Sequence, residues 1–185
     1  MKKWITILIV VILASYCGIS YYFSSQLLYP PLMNDEEMRT EYGPISPEEA
    51  SLKAEEVSFP ARGDDKITIS AWWIEEKPST PKKAFVLVHG RRSNKKTLCR
   101  FAPIFASRGI STLLIDLRGH GESTDGYTTF GDKEREDVIG AFDYLFEKGY
   151  SPDDKIGIFG ISMGATTSFL AAMDLNKERP GSWTS

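Results

Sequence analysis

Histidine and cysteine are both scarce in this sequence, two of each among 185 residues. With only His89 and His120, and no His-x-x-x-His or Cys-x-x-Cys spacing, no metal-ligand cluster can be written, and neither metal nor cofactor is expected. Cys17 lies inside an apolar run that Cys99 cannot reach, so the pair forms no disulfide framework. A basic excess is missing too. The formal net charge of −3 leaves no electrostatic footprint for nucleic acid. Internal repeats and low-complexity tracts are absent. What remains is ordinary globular composition, 42% hydrophobic and 25% charged, enough for one domain with a core.

Charge is also missing from Trp4 to Phe23, which follow Lys2 and Lys3. At 1.5 Å rise per residue this stretch is about 30 Å long, the thickness of a bilayer's hydrocarbon core. Lysines before the span, and no charge after it until Asp35, predict a single pass with the N-terminus in the cytoplasm and the remainder outside. Trp4, Tyr21, Tyr22 and Phe23 fall at the two interfaces. A secretory signal is the alternative: cleavage near Ala14-Ser15 would release a secreted protein. Cys17 invites a lipoprotein reading, which the bulky Tyr16 before it disfavours. Residues 1–23 are therefore read as a cytoplasmic stub and signal anchor, 24–56 as a linker and 57–185 as the folded domain. In the linker, Pro30-Pro31, Pro44 and Pro47 break regular structure, and acidic runs keep it solvated. Ser46-Pro47-Glu48-Glu49 resembles a helix start.

Val57-Ser58-Phe59 and Ile67 to Ile74 read as a strand pair, with Gly63-Asp64-Asp65 as the turn. Trp72 and Trp73 are aromatic packing on the second strand rather than a ligand platform. Lys77 to Lys83 is a proline-containing turn. Ala84 to Val88 is a continuous apolar run, suited to a central strand buried on both faces. Residues 96–108 carry apolar positions at helical spacing, with Pro103 a kink and Gly109 the stop. Ser111 to Asp116 is a further strand, and Glu134 to Lys148 a helix with Val138, Ala141, Phe142 and Leu145 on one face. Alternation of strand and helix from residue 84 onward predicts a parallel α/β sheet.

Lys155 to Thr166 reads as a short apolar strand, then Gly160-Ile161-Ser162-Met163-Gly164, then a helix of small residues. Gly-x-Ser-x-Gly in that setting is a nucleophile elbow, a strained turn that lifts one hydroxyl into the open. The glycines are needed where strand and helix backbones pass too close for a Cβ. The helix start adds free N–H groups and a partial positive charge beside Ser162, where an oxyanion would develop.

His89-Gly90 after one strand, Asp116-Leu117-Arg118-Gly119-His120-Gly121-Glu122-Ser123 after the next and Gly160 to Gly164 after a third stand in order, with Phe130-Gly131 and Glu134 to Asp137 between. Together these resemble the α/β-hydrolase superfamily, nearest to the membrane-anchored, serine-aminopeptidase-like hydrolases, over residues 57–175. The resemblance implies an α/β-hydrolase fold, a mostly parallel sheet with flanking helices, preceded here by one transmembrane helix. It implies Ser162 as nucleophile and the backbone N–H groups of Met163 and Arg91 as the oxyanion hole. It also implies a small-molecule, lipid or peptide acyl substrate and no cofactor. His89 and His120 read as turn and loop-bracing residues, and Asp116 as a strand cap. Arg91-Arg92 and Lys95-Lys96 read as a solvated basic loop.

In this fold the triad runs Ser, then acid, then His along the chain. After Ser162 come Asp174 and Glu178 but no histidine. A serine hydroxyl is a poor nucleophile until an adjacent base takes its proton. The strand at 155–161 would also be an apolar edge. The expectation is the N-terminal part of a hydrolase, truncated after the elbow helix and nearly inactive alone. The rival expectation is a non-catalytic, membrane-tethered binding or scaffold protein, or the product of a gene cut short.

Overall fold

The structure, a computed structural model, describes residues 2–77, 81–151 and 155–178. The expected break at Pro152 and the irregular ending from 179 onward lie outside the described residues. Helix α1 (Lys2–Leu28) has no buried residue, and it is long and apolar enough to cross a membrane. It runs five residues past the charge-free span and stops just before Pro30, where a proline disfavours helical backbone in its predecessor.

The segment expected to be a solvated linker is packed instead. Its helix α2 (Asp35–Tyr42) lies upstream of the expected start at Ser46. Asn34 closes a capping box: its side chain accepts from the Glu37 N–H, and the Glu37 carboxylate accepts from the Asn34 N–H, both at 2.9 Å. Met38 and Ile45 are buried, and Lys96 reaches Asp35 at 2.7 Å. Burial of two apolar side chains, each worth about 1.5–3 kcal/mol, outweighs the solvating pull of the acidic run.

Strands β1 (Glu55–Ala61) and β2 (Asp64–Ile74) form an antiparallel hairpin turning at Arg62-Gly63, one residue earlier than the sequence predicts. Gly63 takes φ +74° there, in the left-handed region that glycine enters without a Cβ penalty. Strands β3 (Lys83–Val88), β4 (Ser111–Ile115) and β5 (Lys155–Gly160) complete a five-stranded sheet of order β1-β2-β4-β3-β5. β3 pairs in parallel with both β4 and β5, while β2 meets β4 antiparallel. Strand alternation feeds two cores. Ala71, Trp73, Val86, Val88, Leu113 and Ile115 face one side, under helices α4 (Glu134–Glu147) and α5 (Met163–Glu178). Trp72, Ile74, Leu87 and Leu114 face the other.

The helix predicted over 96–108 is two pieces: a 3-10 turn at Lys95–Leu98 and α3 (Ala102–Ala106). Pro103 sits in the first turn of α3, where its missing N–H costs nothing but where it cannot continue a helix from upstream. β5 is the sheet edge among the described residues, and its side chains after Lys155 are half-buried.

Candidate active site

The register puts Val88 at the end of β3 beside Gly160 at the end of β5, and the Ile161 N–H donates to the Val88 carbonyl at 3.1 Å. His89-Gly90-Arg91 and Ile161-Ser162-Met163 therefore leave the sheet side by side at the carboxyl ends of its parallel strands. That is where open α/β sheets place their ligands. A Cβ on Gly90 would lie 3.5 Å from the Ser162 Cβ and 3.4 Å from the Ile161 oxygen. The two turns touch.

Ser162 is exposed and sits at φ +51°, in the left-handed region that non-glycine residues rarely occupy. Its neighbours enforce this. The Ser162 carbonyl already accepts from the Ala165 N–H at 2.9 Å, and the Gly164 N–H donates to the Ile161 carbonyl at 2.8 Å, so α5 begins one residue later at Met163. A Cβ on Gly160 would stand 2.4 Å from the Gly164 oxygen, and one on Gly164 would stand 2.4 Å from the oxygens of both Val88 and His89. Among the described residues, neither the Met163 nor the Arg91 N–H donates to a backbone carbonyl.

His89 is engaged at both ring nitrogens, whereas His120 keeps its Nε2 buried without a hydrogen-bond partner. His89 is wholly buried. Its Nε2 accepts from the Leu117 N–H at 3.1 Å, which assigns the ring proton to Nδ1, and Nδ1 donates to the Gly90 oxygen at 2.7 Å. The ring thus ties β4's exit to the turn that carries Arg91. Burial, and then the nearby His120 ring, hold His89 well below an ordinary histidine, at about 4. His120 is buried and lowered chiefly by that burial, and its Nδ1 pairs with the Arg118 oxygen.

Because folding disfavours only the cation of His89, stability is full above the free-histidine value near 6.5 and drains away as pH falls toward 4. The expected loss is about 3 kcal/mol. Urea midpoints compared at about pH 7 and about pH 4.5 should fall steeply for the parent chain and with a shallower slope for His89→Asn. Parallel slopes would remove His89 as the acid-sensitive group.

One expectation is overturned. Lys95 is no solvated cation: it is 2% exposed and lies 2.7 Å from Asp116 and 2.6 Å from Glu122. Asp116 also accepts from the Lys95 and Glu122 N–H groups, at 2.6 and 2.9 Å. A buried carboxylate at the end of β4 needs these partners, and the basic loop folds inward to supply one. Asp116 is a strand cap as expected, satisfied by a lysine. Arg118 makes the parallel arrangement with Asp137. Its N–H, Nε and Nη2 donate at 2.9, 2.9 and 2.6 Å, while burial raises the Asp137 carboxyl to about 6.

Arg91 and Arg92 are committed in a way the sequence did not signal. Arg91 Nη2 donates to the Gln26 oxygen at 2.5 Å, Arg92 Nε donates to the Pro31 oxygen at 2.8 Å, and the Met33 N–H donates to the Arg92 oxygen at 2.8 Å. Nothing in local composition couples residues 26–33 to a loop sixty positions downstream.

The sequence profile of the family described as serine aminopeptidase, S33, matches residues 79–184, more than half of the chain and the whole of this site. The chain belongs to the S33 serine aminopeptidase family. Its fold is the α/β-hydrolase fold: the Pyrococcus furiosus esterase Pf2001 superposes with a TM-score of 0.60 at 26% identity, over 78% of this chain and 50% of that one. Est1E from Butyrivibrio proteoclasticus, solved with ferulic acid bound, shares the fold at 22% identity and a TM-score of 0.51, over 65% of this chain and 48% of that one. Among curated proteins, the uncharacterized protein YqkD of Bacillus subtilis is 30% identical over 95 residues, 51% of this chain and 31% of that protein. This S33 chain thus spans about half the length of the solved structures it resembles, and a third of YqkD. The elbow and the Gly90-Arg91 turn both lie within the matched residues 79–184.

Proposed function

We propose that this is a membrane-anchored serine hydrolase that cleaves an ester, thioester or amide through an acyl-enzyme on Ser162. The observation that carries the reading is the backbone of Ser162, held at φ +51° between two glycines that tolerate no side chain. Such strain costs roughly 1–3 kcal/mol, and exposing one hydroxyl at the mouth of the sheet is a reason to bear it. The Met163 and Arg91 N–H groups flank the position where the tetrahedral oxyanion would form, Met163 with the start of α5 behind it. The α1 span supports anchoring, and the flanking lysines favour a cytoplasmic N-terminus.

Ser162 needs a base: both ring nitrogens of His89 are engaged elsewhere, and His120 is buried beside it with Nδ1 on the Arg118 oxygen and Nε2 unpartnered. These 185 residues alone therefore turn over substrate only at the residual rate that oxyanion stabilisation and binding provide. Full activity requires a base and an orienting acid beside Ser162. The rival reading, a tethered binding protein without catalysis, is favoured by the full engagement of His89 and the burial of His120. A fluorophosphonate probe applied to native membranes separates the two. An adduct mapped to the peptide containing Ser162 is expected; a protein that stays unlabelled while other serine hydrolases in the same membranes react is the binding protein.

A further inference from the structure

The end of α1 and the candidate oxyanion turn are one assembly. Gln26 lies in the last turns of α1, and its carbonyl holds the Arg91 guanidinium; Pro31 and Met33 hold Arg92 from both sides. The Leu28 carbonyl accepts from the Thr128 N–H at 2.7 Å, which brings in the loop before α4. That loop is fixed by the buried Glu134, whose carboxylate accepts from the Thr129 and Gly131 N–H groups at 2.6 and 2.7 Å. Phe130, caught between them at φ +55°, is 44% exposed, and its ring lies 5.8 Å from the Arg91 guanidinium. Tyr127 is 48% exposed on the same loop, and Leu28, Tyr29 and Leu32 are exposed on the other side of the contact.

Depth follows from helix geometry. If the charge-free span ends at Phe23, Gln26 lies about 4.5 Å further along the axis. The polar headgroup layer on each side of a bilayer is about 5–7 Å thick. The residue that grips Arg91 is therefore at headgroup depth. An aromatic collar at that depth is what interfacial surfaces present to lipid, with amphipathic rings among the headgroups.

Resting on the proposed hydrolase and its anchor, we infer that the Ser162 site opens onto the bilayer surface and takes its substrate from the membrane. That substrate is an amphiphile whose acyl ester lies at headgroup depth and whose chain stays among the lipids. The exit segment from Gln26 to Met33 is the positioning element that holds the Arg91 turn at that level. The collar made by Leu28, Tyr29, Leu32, Tyr127 and Phe130 continues the apolar surface of α1 onto the domain, so its occupant is the same bilayer that holds α1.

Depth can be read without turnover. In the full chain with Cys17→Ser, leaving the buried Cys99 in place, nitroxides are attached at Tyr127→Cys and, separately, Phe130→Cys. The protein is reconstituted into vesicles of phosphatidylcholine and phosphatidylglycerol. Collision with oxygen, concentrated in lipid, is compared with collision with a water-soluble nickel chelate. Both labels are expected to favour oxygen, approaching a reference label at Leu28→Cys, while a label at Lys83→Cys, at the opposite end of β3, favours nickel. Labels at 127 and 130 that match position 83 would overturn the inference, because the collar would then face water. Labels shielded from both reagents would overturn it equally, because protein would cover the collar. An unlabelled Ser162 under fluorophosphonate sinks the hydrolase and leaves the depth result standing; water-facing collar labels do the reverse.

Discussion

On the proposed acyl-enzyme mechanism, Ser162→Ala is expected to lower kcat/KM of the native, fully active protein on a p-nitrophenyl ester by about 10⁴- to 10⁶-fold, the scale on which loss of an activated serine is felt elsewhere. The substitution removes one oxygen from an exposed position and disturbs no buried contact. Folding stability should therefore stay close to the parent's. Ser162→Gly extends the test. It also removes the nucleophile, but it lets the elbow adopt φ +51° without a Cβ penalty. The glycine variant should be inactive and about 1 kcal/mol more stable in urea unfolding. A gain in stability with loss of activity is the signature of strain held for function. An alanine variant that keeps a tenth of the rate would end the acyl-enzyme reading, and a destabilised glycine variant would end the strain argument.

Gly164→Ala should be the most damaging small substitution in the chain. Its Cβ would meet two backbone oxygens at 2.4 Å, those of Val88 and His89, and the Val88 carbonyl carbon at 2.8 Å. No rotamer relieves a clash with backbone. Either α5 lifts from the sheet or the end of β3 moves, and β3 is held between β4 and β5. A loss above about 4 kcal/mol is expected, which for a marginally stable domain means little folded protein. Gly126→Ala is the control, since its nearest contact is an ordinary 3.8 Å. Limited proteolysis of the two variants in parallel gives the comparison. Equal resistance would show that the elbow has slack that these distances deny.

Both experiments act on the part of the molecule that sequence exposes most readily. The elbow is local: five consecutive residues, with glycines where backbones nearly touch, declare strand, turn and helix together. The continuous apolar runs at β3 and β4 declare burial on both faces for the same reason. Legibility fails where a residue's fate is set from far away. Lys95 looks like one cation in a basic loop, and only the buried Asp116, twenty-one positions on, turns it inward. Pro103 was visible as a kink, yet periodicity carried the helix across it and merged two pieces into one. The acidic run after α1 reads as solvated tether by composition. The capping pair Asn34 and Glu37, three positions apart, was the signal that a helix begins there. The grip of Gln26 and Pro31 on the arginines had no signal at all, because carbonyls belong to every residue.

That grip also orders events in time. Gln26 is made 65 residues before Arg91. At roughly 5–20 residues per second, between about 3 and 13 seconds pass before the turn it will hold exists. On the proposed anchoring, α1 is seated in a bilayer during that interval, so the carbonyls that receive the arginines are already stationed when β3 emerges. The site is then assembled onto a fixture laid down first, and its distance from the lipid is set before any of its chemistry has been synthesised.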